Sequence, residues 1–170
     1  MADDKDAVAR VAELVDRAQL CMLTTMTVDG RHLARPMAVQ ETEFDGDLWF
    51  FAYADSAKVK QVMANPQVNV SFANTKDSEW TSISGTAEVV EDKHKAEQLW
   101  SAPLKAWFPD GVETPGLILL KVHADSAEYW SSPSSKVVKL LGAVRAAVTG
   151  DPDKFPGENE EVDLPTKEQP

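Results

Sequence analysis

The sequence predicts a mainly β, α+β protein: a small antiparallel barrel of about six strands with helices set between some of them. Three observations carry this. Most apolar segments are short and rich in strand formers, and tight-turn dipeptides such as Asp29-Gly30 and Asp45-Gly46 separate several of them. The strand–helix alternation of a parallel, doubly wound sheet is absent. The 170 residues suit one domain, expected over 1–150, followed by an acidic, Pro-rich tail over 151–170.

In chain order, Val8, Val11, Leu14, Val15 and Ala18 recur at helical spacing, so residues 4–18 read as an amphipathic helix with acids in its first turn. Residues 20–28, 32–41 and 48–54 read as three strands joined as a meander of successive hairpins. Asp55-Ser56 starts a short helix with Val59, Val62 and Met63 on one face, which Asn65-Pro66 ends. Residues 67–73 alternate Val68, Val70 and Phe72 with polar neighbours, as a half-buried strand does. Residues 80–90 form another strand, with Gly85 at a bulge or a close backbone approach. A helix follows over 93–101, then a loop punctuated by Pro103, Pro109, Gly111 and Pro115 that carries Trp107 and Phe108. Residues 116–130 read as a long final strand, interrupted near Ala124-Asp125. A polar corner over 131–135 precedes a helix over 136–147, through Val137, Leu140, Leu141 and Val144. The tail over 151–170 holds four prolines, seven acids and two lysines, and is expected to be mobile or draped on the surface.

Twenty-eight acids against 17 bases leave a net charge of −11, which argues against a nucleic-acid binder or a protein held on anionic lipid. Cys21 is the single cysteine, so neither an intramolecular disulfide nor a multi-cysteine metal site can form. Its apolar strand suggests a buried, inert thiol. His32, His94 and His123 lie far apart without ligand spacing, and no metal is expected. No signal-peptide pattern opens the sequence and no apolar run reaches about 18 residues, so a cytoplasmic location is expected.

The cations are more informative. Residues 31–40 contain Arg31 and Arg35, residues 56–76 contain Lys58, Lys60 and Lys76, and neither stretch contains an acid. Ser56 and Lys58 fall at the first turn of an expected helix, where free N–H groups favour an anion. An arginine from a neighbouring strand would complete a phosphate pocket. The alternative is that Lys58 and Lys60 form a solvated helix face. Trp107, in the Pro/Gly loop, and Trp130, at a strand end, could wall a planar ligand or belong to a core or interface.

The runs Arg35-Pro36-Met37-Ala38-Val39, Leu48-Trp49-Phe50-Phe51-Ala52-Tyr53-Ala54-Asp55-Ser56-Ala57-Lys58, Asn65-Pro66-Gln67-Val68, Ser84-Gly85-Thr86-Ala87-Glu88 and Glu128-Tyr129-Trp130 resemble, in this order, the pyridoxamine 5′-phosphate oxidase-like flavoproteins, closest to their bacterial general stress protein branch. The resemblance spans residues 7–130. It implies a six-stranded split β-barrel acting as a homodimer, with flavin mononucleotide (FMN) at the subunit interface. It also implies that Arg35 reaches the phosphate, that Pro36 and Met37 lie near the ring system, and that Phe51, Ala52, Ser56 and Lys58 hold the ribityl and phosphate groups. Trp130 would come from the other subunit and Trp107 would cover the ring.

Two departures make pyridoxamine phosphate oxidation doubtful. The oxidases carry an arginine pair next to the phosphate lysine, where this chain has Ala57 before Lys58, and the segment after Trp130 reads Ser131-Ser132-Pro133-Ser134-Ser135-Lys136 instead of a basic substrate-binding motif. The resemblance thus implies a flavin-dependent oxidoreductase of open substrate. The alternatives are a related barrel binding flavin adenine dinucleotide (FAD) or a deazaflavin, and a non-catalytic flavin carrier or sensor.

Overall fold

A computed structural model describes residues 4–18, 20–40, 44–131 and 158–164. Helix α1 spans Asp4–Arg17 and turns Val11, Leu14 and Val15 into the core. One antiparallel sheet follows, of seven strands: β1 (Leu20–Met26), β2 (His32–Ala38), β3 (Asp47–Tyr53), β4 (Gln67–Asn74), β5 (Glu79–Val90), β6 (Leu117–Ser131) and β7 (Glu158–Asp163). Helix α2 (Ala57–Ala64) lies between β3 and β4, and α3 (Lys93–Leu99) follows β5. The helix expected over 136–147 lies outside the described residues.

The strand order is β2-β1-β4-β5-β6-β3, with β7 added beside β6. This corrects two sequence expectations. The first three strands are not a meander: β1 and β2 form the hairpin at Asp29-Gly30, but β3 leaves β2 and pairs with β6, Phe50 opposite Leu120. Alternating side chains specify which face of a strand is buried, not which strand lies beside it. The sheet also has seven strands rather than six, because part of the acidic tail is the seventh. Ser126–Ser131 of β6 pairs with β7, Val162 and Leu164 are buried, and the Leu164 N–H donates to the Asp125 carbonyl at 3.0 Å. Val162 and Leu164 supply the apolar anchors that the tail's charge obscures.

The sheet curls around a core in which β1, β3, β4, β5 and β6 share one cluster with α1 and α2, including Leu23, Phe50, Val70, Ile83 and Leu120. β2 and β3 stand at the two ends of the strand order, so the barrel is split between them. On β3, Leu48, Phe50 and Ala52 enter this core, while Phe51 faces a second cluster with Leu99, Leu104, Phe108 and Leu119. β3 is therefore buried on both faces.

The interruption expected near Ala124-Asp125 is a bulge: Ser84 pairs with Ser126 but Gly85 with Ala124, leaving Asp125 as the extra residue. Before it, Leu120, Val122 and Ala124 point inward; after it, Ala127 and Tyr129 do. One added residue keeps both halves of a 15-residue strand facing the same core. Gly85 permits the close approach, since a Cβ there would clash with the His123 carbonyl oxygen. Gly85→Ala is therefore expected to destabilise the protein by about 3–5 kcal/mol, measured by urea unfolding. A loss under about 1 kcal/mol would show that the two strands separate freely.

Candidate functional site

The split between β2 and β3 opens into a cleft of about 280 Å³. β2 contributes Arg35, Pro36, Met37 and Ala38, and β3 contributes Phe51, Ala52 and Tyr53. Lys58 enters from the first turn of α2, and Leu104, Trp107 and Phe108 come from the segment after α3. Both strands present a backbone edge here, so Pro36, which has no N–H to donate, is tolerated on β2.

Arg35 and Lys58 make one end of the cleft cationic. The Arg35 guanidinium donates to the Leu23 carbonyl (3.1 Å), Thr25 Oγ1 (2.7 Å) and Gln61 Oε1 (3.1 Å), all neutral acceptors. Thr25 Oγ1 in turn donates to Gln61 Oε1 at 2.6 Å. Among the described residues neither Arg35 nor Lys58 is paired with a carboxylate. Burial and the nearby Arg35 charge hold the Lys58 ammonium below its ordinary pKa, and burial lowers that of Arg35. Two desolvated cations facing each other without an acid form a site that an anion relieves.

Ser56, two residues ahead of Lys58, is the N-cap of α2, yet its hydroxyl makes no capping bond. Its Oγ is buried with no hydrogen-bond partner. A phosphate monoester fits this chemistry, since it can accept from the hydroxyl, from the free N–H groups of the first turn and from both cations. The cleft wall is also aromatic and apolar, through Phe51, Tyr53, Leu104, Trp107 and Phe108.

Of the residues singled out in the sequence, Arg35, Pro36, Met37, Phe51, Ala52, Lys58 and Trp107 come together in this cleft. Ser56 lies at its helix start and is not a wall residue. Trp130 is elsewhere in the chain, opposite Trp80 on β5 and Asn159 on β7, and is 38% exposed. Arg31 belongs to the hairpin tip, where it pairs with Asp29, and Lys60 is exposed on α2. The solvated-face alternative thus holds for Lys60 and not for Lys58.

Sequence reasoning missed Tyr53, Gln61 and Thr25. Gln61 could have been found as the residue one helical turn beyond Lys58. Cys21 is buried, donates weakly to the Met37 carbonyl at 3.5 Å, and has its thiol pushed up to about 12 by burial, as the inert reading requires.

A second, larger cleft of about 400 Å³ lies between α3 and the start of β6. Its cation, Lys93, is already neutralised by Glu113 at 2.5 Å. Glu91 and Asp92 also line it, so it lacks the acid-free cation pair that marks the first cleft. No helix among the described residues is long and apolar enough to cross a membrane.

The chain, with its split antiparallel sheet, has counterparts of similar fold among proteins of solved structure. It belongs to the family described as pyridoxamine 5′-phosphate oxidase like, which matches residues 6–153. Protein bli-3 of Neurospora crassa is 32% identical over 140 residues, covering 77% of this chain and 67% of that protein. The crystal structure of the general stress FMN/FAD binding protein from the phytopathogen Xanthomonas citri matches with a TM-score of 0.67 and 28% identity, covering 77% of this chain and 92% of that one. A protein from Clostridium acetobutylicum related to general stress protein 26 of Bacillus subtilis matches with a TM-score of 0.69 over 95% of this chain and 96% of that one; at 17% identity it is similar in fold alone.

Proposed function

We propose that this chain is an FMN-binding flavoprotein that works as a homodimer with the cofactor at the subunit interface, and that it is a flavin-dependent oxidoreductase linked to stress. The observation that carries this reading is the cleft itself, with a half-buried, acid-free cation pair, an unbonded Ser56 hydroxyl at the adjoining helix start and an aromatic wall. The flavin when bound supplies hydride and electron chemistry, so the protein needs no acid–base pair of its own. Arg35 and Lys58 hold the phosphate, Ser56 and the α2 N-terminus donate hydrogen bonds to its remaining oxygens, Pro36, Met37, Phe51 and Ala52 line the ribityl and ring, and Trp107 excludes water from one ring face.

The general stress FMN/FAD binding protein of Xanthomonas citri supports a flavin. A seat with one cation pair favours the single phosphate of FMN over FAD or a deazaflavin. Trp130 and Trp80, exposed on the outer sheet face together with Leu20 and Met22, favour a second copy of the chain as a partner. Through that partner Trp130 would reach the cofactor. The single lysine in the segment 131–136 and Ala57 before Lys58 argue against pyridoxamine phosphate as substrate.

Reconstitution with FMN tests the reading: the purified protein should take up one FMN per chain and turn yellow, and a colourless product would overturn it. Reduction by nicotinamide nucleotides then separates an oxidoreductase from a carrier.

The affinity should also depend on pH in a defined direction. A phosphate monoester is a dianion above about pH 6. Lys58 loses its charge as pH rises through its lowered pKa, so FMN affinity should begin to fall below 10.5, the ordinary lysine value. Lys58→Arg, which keeps its charge, should hold its affinity over the same range. Titrations from pH 7 to 10.5 on both proteins check this, and parallel curves would remove Lys58 from the phosphate seat.

A further inference from the structure

Trp107 is held out of the protein by its neighbours on both sides. It closes the 3-10 turn Ala102–Ala106, whose Leu104 is buried in the second apolar cluster, and it is followed by Phe108, buried in the same cluster. Between these two anchors the Trp107 residue remains 61% exposed at the cleft. An exposed indole on a firmly seated segment gains nothing for the fold, and it is suited to cover a flat ring.

The segment is also tied to the sheet. Tyr53, at the end of β3, donates its hydroxyl to the Trp107 carbonyl at 2.8 Å. The Trp107 N–H is used by the Leu104 carbonyl at 3.0 Å, so the Tyr53 bond satisfies the other half of this peptide position. The Tyr53 ring packs against Phe108, with centroids 4.9 Å apart. Tyr53 thus grips both Trp107 and its anchor, and it lines the cleft as well.

We infer that Tyr53 is a positioning residue: its hydroxyl latches the Trp107 segment so that the indole presents a preformed face, and the latch selects ligands that carry a flat aromatic ring over ligands that offer a phosphate alone. This rests on the flavin reading for the ring that is covered, but the latch is a property of the ligand-free chain. Preorganisation acts by lowering the ordering cost of binding, so it shows chiefly in how fast a ligand leaves. The phosphate end, with Arg35 and Lys58, does not depend on it.

Tyr53→Phe removes only the hydroxyl and keeps the ring on Phe108. In the full-length protein, FMN dissociation followed by stopped-flow fluorescence should quicken about 3- to 10-fold, the range of one hydrogen bond. The affinity for inorganic phosphate, measured by calorimetry, should stay within about twofold. In the Trp107→Leu background the Tyr53→Phe change should have no further effect on FMN, because the hydroxyl acts through the indole. In ligand-free protein, the time-resolved anisotropy of Trp107, taken as the difference from the matching Trp107→Phe protein, should show a faster local motion in Tyr53→Phe.

Equal losses for FMN and phosphate would make Tyr53 a general support and overturn the selectivity. An unchanged anisotropy would overturn the latch. Failure of the wild-type chain to take up FMN would overturn the flavin reading, and with it the ring selection, while the anisotropy would still report on the latch.

Discussion

Replacing Arg35 and Lys58 together by alanine is expected to weaken FMN binding by about 100-fold or more while leaving the fold intact. A hydrogen bond to a charged group contributes about 1.5–3 kcal/mol, and each 1.4 kcal/mol is about tenfold in affinity, so two such contacts set that scale. The residual binding should also lose most of its salt dependence, because the cations that attract the phosphate are gone. The fold survives because the Arg35 partners retain one another: Thr25 keeps its 2.6 Å bond to Gln61. Removing two desolvated like charges also relieves repulsion in the empty cleft. Arg31→Ala and Lys60→Ala serve as controls, since Arg31 is at the hairpin tip and Lys60 is exposed. Titration of FMN against the four proteins checks the result. Affinity within twofold of wild type in the double variant would remove both residues from the site.

Ending the chain at Gly157, which deletes β7, is expected to cost about 5 kcal/mol or more, comparable to the whole stability of a small domain. Six residues that pair with Ser126–Ser131 of β6 are lost, together with the buried side chains of Val162 and Leu164. The bond from the Tyr129 hydroxyl to Glu160 at 2.8 Å goes too. Leu164→Ala alone should cost about 2–5 kcal/mol, as deletion of a buried leucine does. Glu161→Ala, on the exposed face of the same strand, should stay within about 0.5 kcal/mol. Thermal unfolding of the three proteins distinguishes them. A truncated chain as stable as the full one would return the tail to the surface role that its composition suggests.

The described elements were largely legible from local signals. The amphipathic stripe of α1, the start of α2 at Ser56 and its end at Asn65-Pro66, and the alternation in β4 follow from spacing, caps and breakers over a few residues. The bulge in β6 was foreshadowed by Gly85 and by the interruption expected near Ala124-Asp125, which are also short-range features. The strand order was not legible. β3 and β6 are joined through pairs such as Phe51 with Leu119, and nothing in either segment names the other. β7 was missed for a related reason: only Val162 and Leu164 mark it among many charges, and two apolar residues become a strand only where an edge with matching register awaits them.

The charge pattern behaved differently. By itself the sequence determined that two acid-free stretches exist, that one begins a helix, and that Arg35 and Lys58 are available to an anion. It also carried the family resemblance, because ordered motifs survive without any knowledge of contacts. Only the tertiary structure decided that these cations face each other, that Arg31 and Lys60 do not join them, and that Tyr53 reaches Trp107 across 54 positions. The physical reason is one of range. Periodicity, capping and turn chemistry are set by neighbours within about one helical turn or one hairpin and are written along the chain. Pairing of strands, desolvation of a charge and the grip of one side chain on a distant carbonyl exist only after the sheet has curled and left its split between β2 and β3.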